Sequence, residues 1–164
     1  MVGAEATEVA LDHGETCVRD THGTVRCWTA TEHGEVVALQ AEGDSPLVQL
    51  LVRWGFRCGL RHNGDLSCWK IGFDWTRGPF SLAGYDIKQA SIVMDWGICG
   101  LLGDGSLRCW NQQGETELVY PGNDLVAITA YGTLCGLRAN GTVRCWGQME
   151  FDSALGLQRS GLLY

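Results

Sequence analysis

Eight cysteines have the clearest capacity for chemistry in this chain of 164 residues. They fall into four pairs: Cys17 and Cys27, Cys58 and Cys68, Cys99 and Cys109, Cys135 and Cys145, each with nine residues between its members. Disulfides, zinc ligation, or reduced thiols packed as small apolar groups could each explain cysteines. Structural zinc sites favour pairs about two to four residues apart, so zinc is the weakest reading. An even count in matched pairs favours disulfides. The four histidines, His13, His22, His33 and His62, form no spaced metal pair and read as loop residues. Carboxylates such as Asp12, Asp95 and Asp104 recur near turns, where turn chemistry accounts for them. The sequence holds no serine nucleophile elbow, phosphate loop or dinucleotide fingerprint. No catalytic residue, metal site or cofactor is expected, and an enzyme is the least favoured class.

The elements that must position the cysteines repeat with them. Every second cysteine is followed by tryptophan: Trp28, Trp69, Trp110 and Trp146. Every pair encloses a glycine six residues after its first cysteine: Gly23, Gly64, Gly105 and Gly141. Successive pairs begin 41, 41 and 36 residues apart, the mark of a repeat architecture. Each segment reads strand, turn, strand. A three-residue hairpin loop combines a type I turn with a glycine in the left-handed region. Loops at Thr21-His22-Gly23, His62-Asn63-Gly64, Gly103-Asp104-Gly105 and Ala139-Asn140-Gly141 set each pair of cysteines directly opposite each other. The reading is four hairpin disulfides, each worth about 2–3 kcal/mol in the chain-entropy account. Such bonds persist in oxidising compartments, which points to secretion, the periplasm or a cell surface.

A short apolar segment precedes each first cysteine: Glu8–Leu11, Leu47–Val52, Ala90–Met94 and Leu125–Ile128. A weaker one follows each tryptophan, as in Glu35–Leu39 and Glu117–Tyr120. Four strands in about 40 residues make one propeller blade. The stretch Cys135-Gly136-Leu137-Arg138-Ala139-Asn140-Gly141-Thr142-Val143-Arg144-Cys145-Trp146-Gly147 resembles the repeat signature of the regulator of chromosome condensation family, in particular its bacterial, cysteine-paired versions. The segments from Cys58 and Cys99 are nearly as similar, whereas in the first repeat Val18 and Arg19 replace the glycine and leucine. The resemblance implies a β-propeller whose inner strands line a central channel and whose rim of loops meets another macromolecule. Family rings usually have about seven blades, within the range known for propellers, and this chain has residues for four. The fold expected is all-β: a small propeller of four blades, each of about four antiparallel strands with one hairpin disulfide. One domain spans 1–164, with hairpin cores at 17–28, 58–69, 99–110 and 135–146. Residues 5–12 and 147–164 together supply about one inter-hairpin unit and are expected to close the ring, giving a monomer. In that seam the C-terminal tail adds an outer strand and Val9–Leu11 the inner strand of the last blade.

With 23 glycines and 19% charged residues the chain is rich in turns. A net charge of −7 makes nucleic acid a poor partner. No apolar run of about 18 residues exists to span a membrane. The first ten residues include Glu5 and Glu8 and do not read as a signal peptide. One position remains that varies between repeats. Just before the glycine that precedes each first cysteine stand His13, Trp54, Trp96 and Tyr131. By topology the four encircle one channel mouth. Aromatic residues there suit a binding surface, although packing between blades would also explain them. Trp75 lies in an extra loop, Phe73–Phe80, without counterpart in the other repeats, and either carries function or pins a lid. The function expected is a non-enzymatic, extracytoplasmic module that grips a protein or peptide with one face, with inhibition as one use. A structural repeat domain of a larger surface protein and a glycan-binding propeller are the alternatives.

Overall fold

The computed structural model describes residues 5–12, 14–29, 36–39, 46–53, 56–70, 80–93, 97–111, 116–146, 150–152, 156–158 and 162–163. All regular structure among them is β, in four antiparallel sheets of four strands and one small hairpin. The first sheet holds β1 (Ala6–Asp12), β2 (Glu15–Asp20), β3 (Val25–Thr29) and β4 (Val36–Leu39) in that order. The second holds β5 (Leu47–Arg53), β6 (Phe56–Arg61), β7 (Leu66–Lys70) and β8 (Phe80–Leu82). These two form the unit Met1–Tyr85. In the unit Asp86–Tyr164 the third sheet holds β9 (Ile87–Val93), β10 (Gly97–Leu102), β11 (Leu107–Asn111) and β12 (Thr116–Tyr120). The fourth holds β13 (Leu125–Ala130), β14 (Leu134–Arg138) and β15 (Val143–Trp146), then β18 (Leu162–Leu163); β16 (Glu150–Asp152) and β17 (Gly156–Gln158) pair with each other.

The hairpin register expected from the cysteine spacing is the one observed. Cys17 faces Cys27, Cys58 faces Cys68, Cys99 faces Cys109 and Cys135 faces Cys145, and each pair is a disulfide. Gly23, Gly64, Gly105 and Gly141 all have φ between 79° and 85°, the left-handed conformation that closes a three-residue loop and that a side chain would strain. In the last three hairpins the residue before that glycine locks the turn. The side-chain oxygens of Asn63, Asp104 and Asn140 accept the N–H of Asp65, Ser106 and Thr142 at 2.9–3.1 Å. The first hairpin has His22 at that position, and Asp20 takes over, accepting the N–H groups of both His22 and Thr24 at 2.9 Å.

Glycine after the first cysteine makes room for tryptophan. A Cβ on Gly59 would stand 2.6 Å from the Trp69 ring and 2.7 Å from Leu47. One on Gly100 would stand 3.0 Å from Trp110 and 3.2 Å from Ile87, and one on Gly136 would stand 2.7 Å from Leu125 and 3.2 Å from Trp146. Each ring thus lies over its glycine beneath the first residue of its own inner strand. The apolar core lies between neighbouring sheets of each unit. Leu50 and Val52 of β5 pack with Cys17, Val25 and Cys27 of the first hairpin. Leu125, Ile128 and Ala130 of β13 pack with Cys99, Leu101, Leu107 and Cys109 of the third.

The terminal strands divide differently from the expected seam. The C-terminal segment does supply the outer strand of the last sheet, where Leu162 and Leu163 pair with Trp146 and Cys145. Val9–Leu11, however, pair with Thr16–Val18 inside the first sheet. The inner position of the fourth sheet is filled by β13, the segment that immediately precedes its hairpin, so no exchanged strand is needed there.

Candidate functional site

The inner strands β1, β5, β9 and β13 carry the described residues that best suit a contact surface, at their two ends. At the C-terminal end β13 runs into the turn at Tyr131. Ala130 before it and Leu134 after it are buried, yet Tyr131 is 64% exposed, and its N–H donates to the carbonyl of Thr133 at 3.3 Å. The ring therefore stands out from a turn whose flanks are fixed in the core. His13, Trp54, Trp96 and Trp75 lie outside the described residues.

At the N-terminal end the ladder slips by one residue in all four sheets. Thr7, Val48, Lys88 and Val126 each stand between two paired residues without an opposite number, a β-bulge at one repeat position. All four are exposed. Thr7 donates its hydroxyl to the Arg19 carbonyl at 3.1 Å, and Lys88 pairs with Asp86 at 2.6 Å. These residues escaped a reading based on sequence alternation alone. Their signal is a slip of phase: Leu47-Val48-Gln49 and Leu125-Val126-Ala127 put two apolar residues in succession where strict alternation allows one.

The bulge re-aims the residue after it. Glu8 and Gln89 turn toward the inner strand of the next sheet. Both Glu8 carboxylate oxygens accept the Leu50 N–H at 3.0 Å, while one also accepts Arg19 Nε at 2.9 Å. Gln89 accepts the Ile128 N–H at 2.8 Å and donates to the Ile128 carbonyl at 3.0 Å. A nearly buried ion pair, Glu15 with Arg57, adds to the junction between the first two sheets, and burial pushes the Arg57 guanidinium down from its ordinary value. In the fourth repeat Asp124 accepts the Tyr120 hydroxyl and Arg138 Nε, both at 2.7 Å. The Tyr120 hydrogen bond first, then Arg138, holds the Asp124 carboxyl below its usual value, and Asp124 raises both partners in return. The Arg144 guanidinium lies 5.3 Å from the centre of the Tyr120 ring and 5.6 Å from that of Trp146. These groups fasten strands and loops to one another. Among the described residues no cluster of three or more histidine, cysteine, aspartate or glutamate side chains could hold a metal ion.

Repeated four-stranded antiparallel sheets, each packed through its inner strand on its neighbour within a unit, are the blades of a β-propeller. Solved propellers of the regulator of chromosome condensation kind share this fold. Prp20p from Saccharomyces cerevisiae, also described as yeast RCC1, superposes with a TM-score of 0.69 at 16% identity, over 96% of this chain and 50% of its own; its structure was described together with its binding to Gsp1p and histones. The ectodomain of the Physcomitrella patens receptor kinase CR4 superposes with a TM-score of 0.67 at 21% identity, over 88% of this chain and 42% of its own. The computationally designed protein Ika4 superposes with a TM-score of 0.63 at 18% identity, over 88% of this chain and 91% of its own. The chain thus spans about half the length of the two natural proteins. No family model and no curated protein matches it in sequence.

Proposed function

We propose that this chain is a non-enzymatic binding module that holds a protein or peptide on the loops at one end of its inner strands. The observation that carries the reading is Tyr131, which is exposed in the turn between the buried Ala130 and Leu134. Its position holds His13, Trp54 and Trp96 in the other repeats, so the residue changes from blade to blade while its aromatic or imidazole character stays. Framework positions such as the cysteines keep one residue. An exposed position that stays ring-bearing from repeat to repeat suits a partner contact. Prp20p, described together with its binding to Gsp1p and histones, is a propeller of similar fold in such a role, and the CR4 ectodomain belongs to a receptor kinase. The four disulfides suit an oxidising compartment, and we place the module outside the cytoplasm, secreted, periplasmic or on a cell surface. Trp75 is a second contact in this reading.

The test is capture from the native extracellular fluid by the immobilised chain, then quantified binding of what is captured. Tyr131→Ala and a Trp54→Ala/Trp96→Ala variant are expected to unfold within about 0.5 kcal/mol of the parent. They are expected to bind about 2 kcal/mol more weakly. Unchanged affinity in both variants would remove this face from consideration.

A further inference from the structure

The chain has four asparagines, Asn63, Asn111, Asn123 and Asn140, and Asn140 alone is followed two residues on by a serine or threonine. Asn140-Gly141-Thr142, with no proline between, is the acceptor sequence for N-linked sugars in exported proteins. The fold puts it at the tip of the fourth hairpin, where Asn140 and Thr142 are both exposed. The repeat supports that placement: His22, Asn63 and Asp104 hold the position of Asn140 in the other hairpins, and all three are exposed. His22 and Asp104 are so although the next blade of their unit packs on their hairpins. The turn also divides the Asn140 amide between its two polar atoms. Oδ1 holds the turn, accepting the Thr142 N–H at 3.0 Å and the Thr142 hydroxyl at 2.7 Å. Nδ2, the atom that would carry a sugar, has no hydrogen-bond partner among the described residues. In the second hairpin the same nitrogen of Asn63 donates to the Asp65 carboxylate at 2.8 Å, and Asp65 also breaks the acceptor sequence.

We propose that Asn140 is an N-glycosylation site, an inference that rests on the reading of the chain as an exported module. In the transfer, Nδ2 attacks C1 of the first sugar of an oligosaccharide carried on a lipid diphosphate. The C1–Nδ2 bond forms and the C1–O bond to the diphosphate breaks. The lipid diphosphate leaves with the electron pair, and Nδ2 gives up one proton to a base of the transferase. The product amide keeps Oδ1, so both bonds from Thr142 survive and the turn needs no rearrangement. The sugar then lies at one end of β14 and Tyr131 at the other, since Leu134–Arg138 runs between the two turns. Val126 and its bulge lie at the Asn140 end, where Leu125 pairs with Arg138. A bulky, solvated group at the hairpin tip covers that end of the fourth blade and leaves the Tyr131 turn clear. The glycan thus fixes which end of the blade is open to a partner.

The full-length chain, directed by a leader peptide into the secretory pathway of a eukaryotic cell, tests this. Gels read cells and medium together, so release is not required. One heavier band is expected, which a peptide N-glycosidase returns to the mobility of the bare chain, leaving aspartate at position 140 in the peptide mass. Asn140→Gln and Thr142→Ala are each expected to lose the shift entirely, and Thr142→Ser to keep it. The glycosylated parent is expected to contain the Cys135–Cys145 bond. A parent without a glycan overturns the proposal, as does a shift that survives Asn140→Gln. A glycosylated chain that lacks the Cys135–Cys145 bond overturns the claim that this turn accommodates the sugar. The leader supplies export, so a negative result counts against the acceptor alone, whereas a cytoplasmic location of the chain in its own cell counts against the export reading.

Discussion

Trp28 and Trp110 stand one residue after the second cysteine of their hairpins, yet Trp110 is 1% exposed and Trp28 is 37% exposed. The third blade offers its ring a seat with a floor and a lid. Gly100 is the floor, and Ile87, the first residue of β9, is the lid. In the first blade both have changed: Val18 stands where the glycine would be, and Ala6 stands where Ile87 would be. A valine side chain fills the space over which the ring would lie, and alanine is too short to cover it. The same hairpin, disulfide and turn are built in both blades. The backbone of a blade is thus specified by its hairpin, while the burial of its tryptophan depends on two residues outside that hairpin's turn and staple.

The comparison is broken most directly at the rings themselves. Trp110→Ala is expected to cost about 4 kcal/mol in denaturant unfolding, as large-to-small changes at buried aromatic sites do. Trp28→Ala is expected to cost less than about 1 kcal/mol. Equal losses would mean that exposure misreports how the two rings are held. Next in size is a transplant of the first blade's solution into the third. Gly100→Val puts methyl groups against the Trp110 ring and Ile87, and overpacking of this kind is expected to cost about 2–3 kcal/mol. A blue-shifted Trp110 emission retained in that variant, with no loss of stability, would show that the seat is roomier than its contacts indicate.

How far these features could be read from sequence follows the range of the interactions. The disulfides and the hairpin glycines rest on contacts ten residues apart or fewer, and spacing alone specifies them. The bulges at Thr7, Val48, Lys88 and Val126 depend on how one strand slips against another, which residue types encode only weakly. The inner strand of the last blade is hard to read from sequence for a related reason. Counting tail residues gives the material for a blade but not which neighbour each strand pairs with, and β13, already adjacent to its hairpin, has the shorter loop to close. Of the ring-bearing site position, sequence identifies the variation, and the structure adds the exposure at Tyr131.

The turns sharpen the contrast by charge. Asp20 and Asp104 lock the first and third hairpins, and Asn63 and Asn140 lock the second and fourth. Burial raises the Asp20 carboxyl, but the N–H groups of Thr24 and His22 more than offset it, and the net direction is down. The Ser106 hydroxyl and N–H lower Asp104 in the same way. A carboxyl with a lower value folded than unfolded (about 3.9 for free aspartate) contributes stability above that unfolded value. The contribution is lost as pH falls through the folded value, because the unfolded chain then binds the proton first. Amide exchange at Thr24 and Ser106 is therefore expected to lose protection below about pH 4, beyond the change seen at Asp65 and Thr142. Asp20→Asn is expected to remove the effect at Thr24, and Asp20→Ala to cost about 1–2 kcal/mol at neutral pH by leaving two N–H groups without their acceptor. Identical acid profiles in all four hairpins would refute the assignment.

The smallest effect is the reverse transplant, and it tests whether floor and lid work as a pair. Val18→Gly alone opens the floor beneath Trp28 but leaves Ala6 as the lid, and it adds a glycine's conformational freedom to β2. It is expected to destabilise by about 0.5–1 kcal/mol. Ala6→Leu alone adds an exposed side chain with no ring to cover and is expected to change stability by less than about 0.5 kcal/mol. Together they recreate the arrangement of Leu47, Gly59 and Trp69 in the second blade, where both contacts with the glycine position are close. The double variant is then expected to be at least as stable as the parent, with a favourable coupling of about 1 kcal/mol between the two sites. Trp28 emission should shift to the blue in the double variant and in neither single one, since only a ring with both floor and lid leaves water. Strict additivity of the two changes, with Trp28 emission unmoved, would mean that something other than these two residues keeps the first tryptophan at the surface.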